Sequence, residues 1–141
     1  MTARLLVIAA LAAWTAACGG DASPTEPTGT TASSSSVTYT GTLDAGGARF
    51  YSFTNAAAGS VTALLASVAT PETKTPVSVP LELGIGVPAG TGCATTTTQI
   101  VTAGLVSQMT ASLAAGVFCL RVADAGELRA PVTFAVRFSH P

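Results

Sequence analysis

Val132-Thr133-Phe134-Ala135-Val136-Arg137-Phe138-Ser139 places Val, Phe, Val and Phe at every second position, with smaller or polar residues between them. Successive side chains of a β-strand point to opposite faces, so this stretch reads as a strand with one buried face. Upstream, Gly116–Ala123 repeats the pattern with Phe118, Leu120 and Val122. Leu81–Val87 alternates Leu81, Leu83, Ile85 and Val87, and Ser60–Val68 sets Val61, Ala63 and Leu65 on one face. Arg49–Thr54 holds Phe50, Tyr51 and Phe53; Val37–Leu43 alternates against Thr38, Thr40 and Thr42. Gln108–Leu113 and the shorter Thr98–Thr102 complete eight runs. Between them lie Asp44-Ala45-Gly46-Gly47, Asn55 to Gly59, the proline-bearing Ala69–Pro80, the Gly/Thr-rich Pro88–Thr97 and Asp124–Ala130, all read as turns or loops. Short runs of period two with regular turn signals predict an all-β fold, an antiparallel sandwich or a barrel.

Composition narrows the class. Charged residues make up 9% of the chain, against roughly a quarter in ordinary globular proteins. From Cys18 onward there are five Lys/Arg and seven Asp/Glu, a formal net charge of −2. There is no basic patch, so nucleic acid is not an expected partner. Cys93 and Cys119, 26 positions apart, remain as one pair once Cys18 is set aside. Zinc needs four ligands, and His140 is the only histidine; no Cys-x-x-Cys is present. A disulfide in an oxidising compartment is the expectation, worth roughly 3 kcal/mol on the chain-entropy model. Cys119 falls on the face opposite Phe118 and Leu120, so the bridge should staple the Pro88–Thr97 loop to the outside of a strand.

The N-terminus carries a different signal. Arg4 is the only charge before Asp21, and Leu5–Trp14 is apolar throughout. A charged start, a short apolar stretch and small residues before a cut mark a secretory leader. The apolar run is too short to span a bilayer, which takes about 20 residues. Thr15-Ala16-Ala17-Cys18 resembles a bacterial lipoprotein signal, with cleavage after residue 17 and lipid on the Cys18 thiol. Thr15 stands where such signals usually carry an aliphatic residue. No Asp follows Cys18 directly, which points to the outer membrane or cell surface of a bacterium. Residues 18–36 are rich in Gly, Ser, Thr and Pro, with no aliphatic side chain larger than Ala. Such a segment buries too little to offset its ordering entropy and is expected to be a disordered tether, reaching roughly 20–25 Å. The folded domain is expected over residues 37–141, enough for one modest core.

No catalytic set is expected. His140 stands one residue from the C-terminus and reads as solvated, and there is no Gly-x-Ser-x-Gly elbow. Asp124, Glu127 and Arg129 read as a solvated hairpin tip. Calcium takes roughly six to eight oxygen ligands, whereas Asp44, Glu82, Asp124 and Glu127 are scattered singly; no metal or cofactor is expected. For ligand contact the candidates are Phe50, on the face opposite Tyr51 and Phe53, and the hydroxyls of Thr95, Thr96 and Thr97 in the Gly90–Thr98 loop.

The order of motifs is similar to that of a known family. Thr40-Gly41-Thr42-Leu43, Phe50-Tyr51-Ser52-Phe53, Ala58-Gly59-Ser60-Val61-Thr62, Leu113 through Val122 and Val132-Thr133-Phe134-Ala135-Val136 follow in turn. Together they resemble the bacterial pre-peptidase C-terminal domain over roughly residues 38–138. The resemblance implies a jelly-roll-like sandwich of about eight strands. The family often has acidic residues before the aromatic strand, where this chain has Gly46-Gly47-Ala48-Arg49. Relatives usually accompany secreted peptidases, and no peptidase is attached here. The expectation is a non-enzymatic envelope lipoprotein, held to the membrane through Cys18, that binds an envelope protein or polysaccharide. The alternative is an accessory lipoprotein that positions or solubilises a separately encoded exported enzyme.

Overall fold

The strands pair as nested couples. In the computed structural model, which describes residues 33–141, they are β1 (Ser35–Leu43), β2 (Ala48–Asn55), β3 (Gly59–Ala69) and β4 (Leu81–Ala89). The second half supplies β5 (Gly92–Val101), β6 (Met109–Leu113), β7 (Gly116–Asp124) and β8 (Val132–His140). The expected leader, Cys18 and the expected tether as far as residue 32 lie outside the described residues. β1 pairs with β8, β2 with β7, β3 with β6 and β4 with β5, all antiparallel. This is one long hairpin bent at the β4–β5 turn. Rolling it up adds the contacts β3–β8 and β4–β7. Two four-stranded sheets result, β1-β8-β3-β6 and β2-β7-β4-β5. The arrangement is a jelly-roll sandwich; each sheet ends in two edge strands, so the fold is not a closed barrel.

The alternating residues fill the space between the sheets. Leu43, Val61, Leu65, Val136 and Phe138 face inward from the first sheet; Phe53, Leu83, Ile85, Leu120 and Val122 face them from the second, all buried. Each such side chain contributes roughly 1.5–3 kcal/mol by leaving water. A one-residue slip in any strand would turn its apolar set outward, which pins the register.

Three boundaries differ from the sequence reading by two residues or more. β1 begins at Ser35 because β8 runs to His140 and supplies ladder partners for Ser35 and Ser36, residues expected in the tether. Pro88–Thr97 is not a loop. β4 continues to Ala89, a tight turn at Gly90-Thr91 reverses the chain, and β5 starts at Gly92. Gly90 has φ 56, the left-handed value that a two-residue hairpin of this kind asks of its first residue. Pro88 is tolerated because β4 has parted from β7 beyond Gly86.

One flank of the sandwich is sealed by aromatics. Tyr39 of β1 stacks on Tyr51 of β2 at 4.6 Å, and Phe53 meets Phe138 at 4.5 Å. The Tyr51 hydroxyl donates to the Thr40 carbonyl (3.0 Å) and Arg49 Nε to the Thr42 carbonyl (2.9 Å), so β2 side chains cap the β1 edge. Burial raises the pKa of both phenols, an effect that Arg49 partly offsets at Tyr51. His140 is not free in solvent: its ring packs 5.4 Å from Phe53 and 5.8 Å from Phe138. Extension of β8 to that residue draws it in.

The Asp124–Ala130 turn is more than a solvated tip. The Asp124 carboxylate accepts backbone N–H groups from Gly46 (2.7 Å), Gly126 (2.8 Å), Glu127 (3.0 Å) and Leu128 (3.1 Å). It thereby ties the β1–β2 turn to the β7–β8 loop, while Glu127 and Arg129 remain exposed. These bonds, that from Gly46 foremost, hold its pKa below the ordinary 3.8. Unfolding therefore takes up a proton in acid. The stabilisation is complete above pH 3.8 and is lost as pH falls through the lower folded value. Asp124→Asn is expected to flatten the acid limb of the urea midpoint plotted against pH. An acid limb as steep as the unsubstituted protein's would show that other carboxylates govern it.

Candidate functional site

The outer face of the β2-β7-β4-β5 sheet gathers most of the candidate residues. The register aligns Phe50 with Arg121, Arg121 with Gly84, and Gly84 with Thr98, one row across all four strands. At the usual strand spacing, Phe50 and Thr98 stand about 14 Å apart. Phe50 is 46% exposed, as its phase in β2 foretells. Arg121 pairs with Glu82 of the neighbouring row, both half-buried. A pair this accessible adds little stability, about 0–1 kcal/mol. It does leave donor and acceptor atoms on the face.

Between Arg121 and the threonines β4 has glycine at two successive outward positions, Gly84 and Gly86. That lets the start of β5 fold over β4. A side chain at Gly84 would meet Thr95 Cγ2 at 2.6 Å, and one at Gly86 would run into the Ala94–Thr95 backbone. The pairing of Ile85 with Thr97 and Gly86 with Thr95 leaves Thr96 as a bulge. The overlap carries Cys93 to Cys119, and the disulfide joins them at a Cα separation of 5.9 Å. The expected pairing is present and Cys119 lies on the outer face. The bridge nevertheless joins two strands rather than a loop and a strand, and Cys119 is fully buried beneath the overlap.

The threonine run is not one row of hydroxyls. Thr95 is half-buried over Gly84, and the Thr96 hydroxyl donates to the Ile85 carbonyl (3.2 Å). Thr97 stands opposite Ile85, in phase with the inward set, at the exposed margin of the sheet. Thr98 shares the outer row with Phe50 instead. β-Strand geometry sends neighbouring residues to opposite faces, so the run splits. Arg121 and Glu82 were missed as site residues. The signal was present in Glu82-Leu83-Gly84-Ile85-Gly86, where glycine at alternate positions marks one side of a strand as bare.

The hollows lie elsewhere, on the outer face of the first sheet. One of about 640 Å³ is bordered by β3 after its irregularity at Ala66, by the returning Pro76–Ser78 segment and by Ala103. A second, of about 420 Å³, lies over Thr40–Thr42 and Thr133–Ala135. Ser67, Lys74 and Thr133 line both. Lys74, the only lysine in the chain, was not a candidate on sequence. Among the described residues no three His, Cys, Asp or Glu side chains come together as a metal site. Compared with family models and with curated proteins, the chain finds no match.

Proposed function

We propose that this chain is a non-enzymatic lipoprotein of the bacterial envelope, anchored through Cys18, whose domain is a polysaccharide-binding module of the pre-peptidase C-terminal type. The row Phe50–Arg121–Gly84–Thr98 is the observation that carries the reading. A sugar offers an apolar C–H face and a rim of hydroxyls. An exposed aromatic ring suits the first; a guanidinium–carboxylate pair and a threonine hydroxyl suit the second. The leader-like N-terminus and the Ser/Thr/Pro tether support the envelope location. A second reading, an accessory subunit for an exported enzyme, draws on Leu105 (95% exposed) and Val106, apolar side chains offered to solvent by the β5–β6 loop.

Retention on insoluble polysaccharide from a bacterial envelope tests the first reading. Wild type should be retained, and Phe50→Ala should weaken retention about tenfold, or ~1.4 kcal/mol, with an unchanged melting temperature because Phe50 is outside the core. Equal retention of both proteins, or none, would count against the glycan face. Stable capture of an exported enzyme that a Leu105→Ser variant loses would favour the second reading. Cys18→Ala should release the protein from membranes; continued membrane retention would refute the lipid anchor.

A further inference from the structure

The loop between β3 and β4 builds an arch over the first sheet. Thr70 N–H bonds to the Thr75 carbonyl (2.9 Å), and Lys74 N–H to the Thr70 carbonyl (3.1 Å). The Thr73 hydroxyl bonds with those of Thr70 (2.6 Å) and Thr75 (2.8 Å). The chain then returns beside β3, through an Ala69–Pro76 bridge and a bond from Val77 N–H to the Val68 carbonyl (2.9 Å). Beneath and beside this arch the sheet carries only small outward residues, among them Ser67, Thr133 and Ala135, which is why hollows form there.

Lys74 stands on the seam between the two hollows. Its φ is 55, the only positive value at a non-glycine position among the described residues. Glycine would occupy that conformation without the penalty that a Cβ brings. The bonds of the turn use the Lys74 backbone, and among the described residues its ammonium makes no ion pair. A lysine held in a strained conformation, without a structural task for its side chain, at the rim of a mostly apolar hollow, is the pattern expected of a ligand-binding group.

We infer that this hollow binds a small monocarboxylate with a short aliphatic body. The Lys74 ammonium balances the single negative charge, and the Ser67 hydroxyl on the lining is available to donate to the carboxylate, whereas the Thr133 hydroxyl already donates to the Ala69 carbonyl (3.2 Å). Ala66, Ala69, Pro76 and Val77 receive the aliphatic part. One lysine and one uncommitted hydroxyl match a carboxylate better than a phosphate dianion, which calls for more donors and more positive charge. The site lies on the sheet opposite the Phe50 row and does not depend on it.

Hexanoate and its neutral analogue hexanamide serve as probes, followed through the backbone amide resonances of the ¹⁵N-labelled full chain. Hexanoate should give saturable shifts centred on Ala66–Ala69, Lys74–Ser78 and Thr133, with hexanamide at least tenfold weaker. Lys74→Met should reduce hexanoate to the level of hexanamide. Lys74→Gly should lose the same binding while keeping or raising the melting temperature, because glycine relieves the positive φ; loss of binding is thus separated from loss of fold. Equal affinity for the two probes, saturable shifts centred elsewhere, no saturable shift, or hexanoate binding that survives both substitutions would overturn the assignment.

Discussion

Cys119→Ala should lower the unfolding free energy by about 3–4 kcal/mol, the loop-closure entropy of a bridge between residues 26 apart. In a domain of this size that corresponds to a fall in melting temperature of roughly 15 °C. The bridge carries this weight because of where it lies. β5 is an edge strand, paired only with β4. Cys93 fastens its first residues to β7, one strand further in, so the disulfide holds the overlap of the hairpin as well as closing the loop. Cys93→Ala removes the same bond and should cost about as much, and the double variant little more than either alone. Reduction of the unsubstituted protein should reproduce the effect. A melting temperature unchanged by reduction, with two free thiols counted, would show that the overlap holds without the bridge.

Gly86→Ala is expected to be the most damaging single-methyl addition on the outer face. The new Cβ would fall on the Ala94 carbonyl, with Ala94 C and Thr95 Cα at 2.6 Å. Both are backbone atoms of a paired strand and cannot turn aside. Overpacking of this kind costs about 1–3 kcal/mol, and a clash with backbone lies at or beyond the upper end. Gly84→Ala is the control. Its nearest obstacle is Thr95 Cγ2, a side-chain atom also at 2.6 Å. It should cost less, and a companion Thr95→Ser should recover part of the loss, whereas that partner should do nothing for Gly86→Ala. Denaturant midpoints of these variants make the comparison; equal losses at the two glycines would refute the close approach of β5 to Gly86.

Most strands were legible because one face of each is buried. Phe134, Val136 and Phe138, or Leu81, Leu83 and Ile85, show period two because they meet the opposite sheet. β5 was the exception. From Gly92 to Thr98 it lies at an edge, largely exposed, so no apolar alternation marks it. Only the high strand propensity of threonine spoke for it, and Gly90, Gly92 and Pro88 spoke against it. The disulfide was legible by elimination among three cysteines. Phe50 was legible from its phase in β2, but its neighbour Arg121 lies 71 positions away in sequence and becomes a neighbour only through the β2–β7 register. Lys74 gave no local sign at all. Its placement depends on a turn of threonine hydrogen bonds and on the small residues of β8 beneath it.

By itself the sequence determined the inward and outward residues of most strands, the main turns and the cysteine pairing. These follow from local chemistry: side-chain alternation, glycine and proline punctuation, and a count of thiols. Tertiary structure alone decided which strands are neighbours. β1 lies on β8 and β2 on β7, partners far apart in the chain, because only the rolled hairpin buries the apolar faces of all eight strands at once. The Phe50–Arg121–Gly84–Thr98 row, the overlap of β5 on β4 and the hollow beside Lys74 are consequences of that pairing. The row and the hollow bring together strands far apart in sequence; the overlap lies within one hairpin, but it faces Cys119 only through the β4–β7 pairing.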